Sequence, residues 1–346
     1  FGAGGEPMRA VPILICLSLV APLHLQAQEA ASPQVAKLQA EVENLRWELD
    51  QVRKIADDNQ FFLRLSDVAE VDKVILAGAP NPKAVERYGI ANERHPIRIY
   101  CYTFVPKALD RSRRHPAVVL THGGVHGDFG TYHVHLVREM VARAYIVVAP
   151  EYRGSTGYGR GMYESIDYGG LENDDMVTCR DWAVEELPVD PKRVAAVGWS
   201  HGGMISLMAG FDHPDKFACI YAGVPVSDLL TRLGYHEPSY TAEFAAKYHI
   251  GKAPVADVDE YRRRSPIWNV QKLKIPLMVT STTNDRDVNV VEVEQLITHL
   301  KAAGKSFESQ IEKDAPGGHS WDRIDTTFAR KARVRMYEFL AKHLGK

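Results

Sequence analysis

Cysteine is scarce, with four in 346 residues, and none forms a C-x-x-C pair. That scatter excludes a disulfide framework and a thiolate zinc site. Cys16 falls in the expected leader, which leaves Cys101, Cys179 and Cys219, an odd number that allows at most one bridge. An excess of charge of one sign is also missing: 42 basic residues face 44 acidic ones, for a formal net of −2. Arg111-Ser-Arg113-Arg114 and Arg262 to Arg264 are short clusters that read as solvated faces. Nucleic acid and an anionic membrane are therefore excluded as main partners. No internal repeat of the roughly 20- to 50-residue kind occurs, so the chain encodes no propeller. With 45% hydrophobic and 25% charged residues, the composition is that of one large globular domain plus an appendage.

Long apolar runs are rare too, and the most pronounced spans Val11 to Leu25. Preceded by Met8-Arg9 and followed by Gln26-Ala27-Gln28, it reads as a secretory signal peptide cleaved after Ala27, with Met8 the expected start and a Gly-rich stretch before it. Pro12, Pro22 and His24 make it a poor membrane span, and a retained anchor is the rival reading. Bulky Ile13-Leu14-Ile15 ahead of Cys16 does not suit a lipoprotein signal. Residues 1–27 are thus expected to be leader, and the mature chain secreted or periplasmic, with no stable membrane span after processing.

Residues 28–66 carry a heptad pattern, with Val35, Leu38, Val42, Leu45, Leu49 and Val52 alternately three and four apart on a charged helix. Roughly three heptads are marginal for an independent coiled coil. Two readings follow: a homodimer through residues 35–52, or an amphipathic helix packed on its own catalytic domain, of which the second is favoured. Residues 67–346 then read as that domain. Two β-like runs, Val74 to Leu76 and Ile97 to Phe104, are separated by Gly78, Pro80, Pro82 and Gly89. Beyond them the apolar runs Ala117–Leu120, Tyr145–Ala149, Val194–Val197, Ala218–Tyr221 and Leu277–Thr280 are each followed by a turn, and most by a helix-length segment. Continuous apolar strands between helices imply an α/β fold, a mostly parallel sheet covered on both faces, here with an N-terminal helical extension. In such a sheet ligands bind beyond the carboxyl ends of the strands, which singles out His122 to Gly124, Glu151 to Arg153, Ser200, Val224 to Val226 and Ser281 to Asp287.

Gly198-Trp-Ser200-His-Gly202 fits the G-x-S-x-G nucleophile elbow, a serine on a strained strand-to-helix turn whose flanking positions must lack a Cβ. The His201 N–H, at the start of a helix, would donate to an oxyanion. A serine needs a histidine base, and the base needs a carboxylate. In the α/β-hydrolase chain order Ser, acid, His, Asp285 in Asn284-Asp-Arg-Asp287 is the acid, with Asp287 the runner-up. The base is His319 in the loop Ala315-Pro-Gly-Gly-His-Ser-Trp321, after the expected strand Ser306 to Glu312. His299 and His343 fall on expected helices. A second oxyanion donor is expected from His122-Gly-Gly124, through the Gly123 or Gly124 N–H or the His122 imidazole. His126, His133 and His135 lack the H-E-x-x-H spacing of a hydrolytic zinc, so neither a metal nor a cofactor is expected.

The chain from about residue 95 onward resembles the catalytic domain of the prolyl oligopeptidase family of serine peptidases, within the α/β-hydrolase fold. His122-Gly-Gly is similar to the HGGPHG of acylaminoacyl-peptidase-like members. Tyr152-Arg-Gly-Ser-Thr-Gly-Tyr-Gly159, Val189-Asp-Pro-Lys-Arg-Val194, Gly198-Trp-Ser-His-Gly-Gly203, Ser265-Pro-Ile267 with Ile275-Pro276, and Asp285 followed by Val288 continue the match to His319. The resemblance implies Ser200, Asp285 and His319 as the triad and the His201 N–H as one oxyanion donor. Where some members use a tyrosine hydroxyl this chain has His122, and Val125 replaces a frequent proline. The residues before 95 match neither the family's β-propeller nor the glutamate pair that holds an N-terminal amine. The resemblance thus implies a peptide or small ester as substrate, with a carboxylesterase as the alternative activity and a non-catalytic binding protein as a third reading. Tyr152, Trp199, Tyr235 and Tyr240 are candidates for its pocket, with Phe244, Tyr248 and Tyr261 nearby.

Overall fold

A computed structural model describes residues 32–80 and 97–345. The expected leader, residues 1–27, and the breakers Pro82 and Gly89 lie outside the described residues. The chain divides into two units, residues 1–44 and 45–346. The described part of the first is Ser32 to Asn44, the opening turns of helix α1 (Pro33–Leu65), with every residue exposed.

The second unit is built on eight strands: β1 (Ala69–Ala77), β2 (Arg98–Pro106), β3 (His115–Thr121), β4 (Ile146–Glu151), β5 (Val189–Trp199), β6 (Cys219–Gly223), β7 (Leu277–Thr282) and β8 (Glu308–Glu312). They form one sheet in the order β1-β2-β4-β3-β5-β6-β7-β8. β2 pairs antiparallel with both β1 and β4, and the rest of the sheet is parallel. The two early β-like runs thus form an antiparallel pair that leads into the parallel sheet. The connecting helices are α2 (Val134–Val141), α3 (Glu172–Glu186), α4 (His201–Asp212), α5 (Leu229–Tyr235), α6 (Pro238–Ala245), α7 (Val258–Arg264), α8 (Val290–Ala302) and α9 (Thr327–Leu344).

Strand side chains alternate between faces, and that alternation divides the core in two. Ala117, Val119, Ile146, Val148 and Ala196 point to the face covered by Met176 of α3, Ile205 of α4 and Leu296 of α8. Val118, Leu120, Val147, Ala149 and Val197 point to the face covered by Phe61 of α1, Met140 of α2 and Leu340 of α9. Both faces are apolar, hence the continuous hydrophobic runs. A third, smaller core joins Tyr168, Met204, Val226, Leu229, Phe244, Tyr261 and Val288 beneath α5, α6 and α7.

Helix α1 docks on this unit, but not by its heptad stripe. Phe61 and Leu65 are fully buried, and Lys54 is buried with its ammonium 2.6 Å from Glu151 Oε1 and 3.0 Å from Asp128 Oδ2. Val35, Leu38, Val42, Leu45, Leu49 and Val52 are all exposed. The intramolecular packing favoured for the stripe is therefore corrected: the helix uses a different face, whose anchors include a lysine and aspartates that an apolar periodicity does not mark. Cys101, Cys179 and Cys219 are all buried free thiols. Among the described residues no helix is long and apolar enough to cross a membrane.

Candidate active site

The registers bring the ends of the central strands level. Thr121 of β3 pairs with Gly198 of β5, Trp199 with Gly223 of β6, and Gly223 with Thr280 of β7. The residues following those positions therefore meet at one edge of the sheet. Ser200 stands there between β5 and α4 at φ 58° and ψ −124°, a positive φ that a residue with a Cβ rarely adopts. The glycines around it have steric reasons. A Cβ on Gly198 would overlap the Gly202 carbonyl, and one on Gly202 would overlap the Thr121 and His122 carbonyls. The elbow closes only because both lack one.

His319 is held in a loop where Gly317 and Gly318 take φ of 100° and 51°. Its Nδ1 lies 2.7 Å from Asp285 Oδ2. Asp285 is fixed in turn: its side chain is buried, and its Oδ1 accepts from the N–H groups of Asp287 (2.9 Å) and Val288 (3.0 Å). With Nδ1 so engaged, Nε2 is the nitrogen free to take up a proton. Nε2 lies 3.6 Å from Asp287 Oδ2, and no hydrogen bond joins it to Ser200 Oγ in this structure. Asp287 itself is ion-paired to Arg232 at 2.9 Å. Burial would raise its carboxyl, and His319 and Arg232 together hold it below the usual carboxylate range. Of the two acid candidates, Asp285 is the one bonded to the histidine.

The His122–Gly124 loop lies over the serine. A Cβ on Gly123 would come within 3.2 Å of the Ser200 Cβ, so that glycine permits close approach. His201 presents its N–H at the start of α4, while its buried side chain donates from Nδ1 to the Gly124 carbonyl at 2.8 Å and stacks on Tyr168 at 4.0 Å. Burial lowers its imidazole to about 3, so the ring is a neutral strut. The His122 imidazole is held at both nitrogens, with Nδ1 2.9 Å from the Gly123 carbonyl and Nε2 3.0 Å from Ser155 Oγ and 3.2 Å from Glu151 Oε2. Both nitrogens are occupied, which corrects the imidazole as an oxyanion candidate and leaves the backbone N–H groups.

Two of the four pocket candidates are displaced. Tyr152 is buried beneath the loop, its hydroxyl within 3.4 Å of the His122 and Gly124 carbonyls. Trp199 is buried with Nε1 donating to Asp322 at 2.8 Å. Both are buried supports beneath the site. Tyr235 and Tyr240 lie at its edge around Arg232, which donates to the Tyr240 hydroxyl at 3.0 Å, while the Tyr235 hydroxyl meets Glu292. Phe244 and Tyr261 belong to the third core, and Tyr248 lies against it. His236, Asn284, Arg286, Asp287, Gly317, Gly318 and His319 line an open groove of about 610 Å³ on the Asp287 side of the histidine.

His126 stacks on Tyr163, His133 on Phe129, and His135 bonds the Arg323 carbonyl. Among the described residues no three His, Cys, Asp or Glu side chains are grouped to hold a metal. Arg232, Lys54 and Asp322 were not singled out by sequence. They carry no motif, and their roles come from pairings between distant segments.

The sequence model of the prolyl oligopeptidase family matches residues 132–346. Dipeptidyl aminopeptidase BIII of Pseudoxanthomonas mexicana is 29% identical over 238 residues, covering 66% of this chain and 33% of that protein. The acylamino-acid-releasing enzyme of Arabidopsis thaliana is 25% identical over 275 residues, covering 78% and 34%. The chain thus spans about a third of the length of these curated relatives. The solved acylaminoacyl peptidase of Pyrococcus horikoshii superposes with a TM-score of 0.65 at 19% identity, over 83% of this chain and 44% of that one. At that identity the likeness speaks for the fold.

Proposed function

The chain belongs to the prolyl oligopeptidase family, and from that premise we propose that it is a serine hydrolase cleaving a peptide or ester bond through an acyl-enzyme on Ser200. The observation that carries the reading is the 2.7 Å His319–Asp285 bond at the strand edge from which the strained Ser200 projects. Asp285 fixes the tautomer with Nδ1–H. His319 Nε2, turned from Asp287 toward Ser200, removes the hydroxyl proton as Oγ attacks the carbonyl, then returns it to the leaving amine or alcohol. The N–H groups of His201 and Gly123 are the donors for the developing oxyanion. Water activated by the same histidine then releases the acid.

The relatives named as a dipeptidyl aminopeptidase and an acylamino-acid-releasing enzyme favour a peptide with a modified or short N-terminal portion. A carboxylesterase on the same scaffold is the second outcome to be tested. The leader-like stretch 8–27 supports a secreted or periplasmic location. The decisive experiment compares kcat/KM for p-nitrophenyl acyl esters with aminoacyl and N-acyl-aminoacyl p-nitroanilides, using Ser200→Ala as control. Anilide turnover with a side-chain preference is expected. Ester turnover alone would make this an esterase, and activity surviving in Ser200→Ala would overturn the mechanism.

A further inference from the structure

Helix α1 has two working faces, and the sheet uses one of them. With Val35, Val42 and Leu49 at heptad position a and Leu38, Leu45 and Val52 at d, the residues that dock on the second unit fall at b, c and f. They include Trp47, Lys54 and Phe61, each at f, and Asp50, whose carboxylate accepts from the Gly157 N–H at 2.6 Å. Position f lies opposite the a/d seam. At Leu45, Leu49 and Val52 a second helix can therefore approach the seam from the side away from the docked face.

The seam itself is bare. Its six residues are 45%, 54%, 50%, 61%, 48% and 59% exposed from Val35 to Val52. Apolar residues kept in strict a/d register over a helix, yet open to water, cost solubility unless covered. The flanking charges say what covers them. Position g holds Glu41 and Glu48, and position e holds Arg46 and Arg53. In a parallel pair each g residue meets the e residue five places on in the partner, which sets Glu41 against the partner's Arg46 and Glu48 against the partner's Arg53, each twice by symmetry. An antiparallel pair would set Glu against Glu and Arg against Arg. Valine at two of the three a positions with leucine at two of the three d positions favours two strands. Roughly three heptads are marginal for a free peptide because the helix must first nucleate. Here Lys54, Phe61 and Leu65 already hold α1 helical on the sheet, which removes most of that cost.

We infer that this chain forms a parallel, in-register homodimer through the α1 seam. Sedimentation equilibrium of the full chain at micromolar concentration should give twice the chain mass. Leu38→Glu with Leu45→Glu should give the single-chain mass and still unfold cooperatively, since neither side chain is buried within its own chain. Glu41→Arg with Glu48→Arg should also dissociate the dimer, and adding Arg46→Glu and Arg53→Glu to the same chain should restore it. Leu38→Cys in a Cys16→Ser chain should cross-link to its own copy on oxidation, because only the parallel register sets residue 38 against itself. A wild-type monomer, whatever covers the stripe, overturns the inference. So does a dimer that survives the leucine changes, a larger assembly, failure of the charge exchange to restore pairing, or absence of the cross-link.

Discussion

Around Ser200 the fold concentrates strain and close approach, and those demands are written in single residues. Gly198 and Gly202 are fixed because carbonyls occupy the space of a Cβ, and the loop glycines at 317 and 318 because the backbone there is left-handed. The two aspartates beside His319 differ in what they touch. Asp285 is buried, bonded to Nδ1 and held by two N–H groups, so it sets the tautomer. Asp287 is half exposed, paired to Arg232, and 3.6 Å from the opposite nitrogen. Asp285→Asn should therefore lower kcat by about 10,000-fold with the fold intact, because the amide favours the wrong tautomer. Asp287→Asn should change kcat/KM by less than about 10-fold, since a half-exposed pair is screened by water. Steady-state kinetics on one activated ester checks both, and a larger loss in Asp287→Asn would exchange their roles. The serine, its elbow glycines and the acid and histidine loops could be placed from sequence because each position is sterically or chemically demanding. Tyr152 and Trp199 could not, because a buried aromatic supporting a loop and one lining a pocket have the same spelling.

Among the elements, α1 shows how an apolar pattern can point to the wrong face. Its heptads mark the stripe left exposed, while the docked face carries Lys54, Asp50, Asp57 and Asp58 beside Phe61 and Leu65, and no hydrophobic periodicity registers it. The strands suffered no such ambiguity, since continuous Val, Ala and Ile runs between helices have few other uses. The docking rests on Lys54 and Glu151, both buried. Burial alone would push the Lys54 ammonium down, yet Glu151 and Asp128 raise it above the ordinary lysine value. Burial would likewise raise Glu151, but Lys54 and His122 hold its carboxyl at about 2. A carboxyl lowered on folding contributes stability above its unfolded value of 4.5 and loses it as pH falls toward 2. The wild type should thus weaken through that acid window. Lys54→Met leaves Glu151 buried without its cation, and should cost about 3–5 kcal/mol at neutral pH. Glu151 would then fold more readily protonated, so the variant's deficit should shrink as the pH is lowered. Thermal unfolding at several pH values checks this; a deficit constant with pH would mean that packing by the lysine stem, not its charge, is what matters. Because Glu151 also contacts His122 beside the oxyanion loop, a drop in kcat that exceeds the loss of folded protein is expected from the same variant.

At the scale of the whole chain, the sheet places the candidate catalytic loops at the carboxyl ends of β3, β5, β7 and β8, while Phe61 and Leu65 of α1 pack on β2 and β4. The division between residues 44 and 45 falls inside α1, before the first anchor that holds the helix to the sheet. Two truncations separate the helix's roles. A chain beginning at Leu45 keeps Trp47, Lys54, Phe61 and Leu65, and of the described residues loses only ones exposed in the single chain. Its thermal unfolding should match that of the dissociated Leu38→Glu, Leu45→Glu chain to within about 1 kcal/mol, as is usual for changes away from buried features. A chain beginning at Ser66 loses two fully buried apolar side chains, each worth about 1.5–3 kcal/mol, and strands Glu151 without Lys54 at a further cost of about 3–5 kcal/mol. It also bares Tyr102, Phe104 and Phe129, which stack around Phe61. Those losses are comparable to the whole stability of a typical domain, so the shorter chain should be unfolded or aggregated at 37 °C and inactive. Thermal unfolding and ester turnover of the two truncations measure this directly. An active, cooperatively folded chain from Ser66 would show that α1 is an addition to the hydrolase sheet and not part of its core.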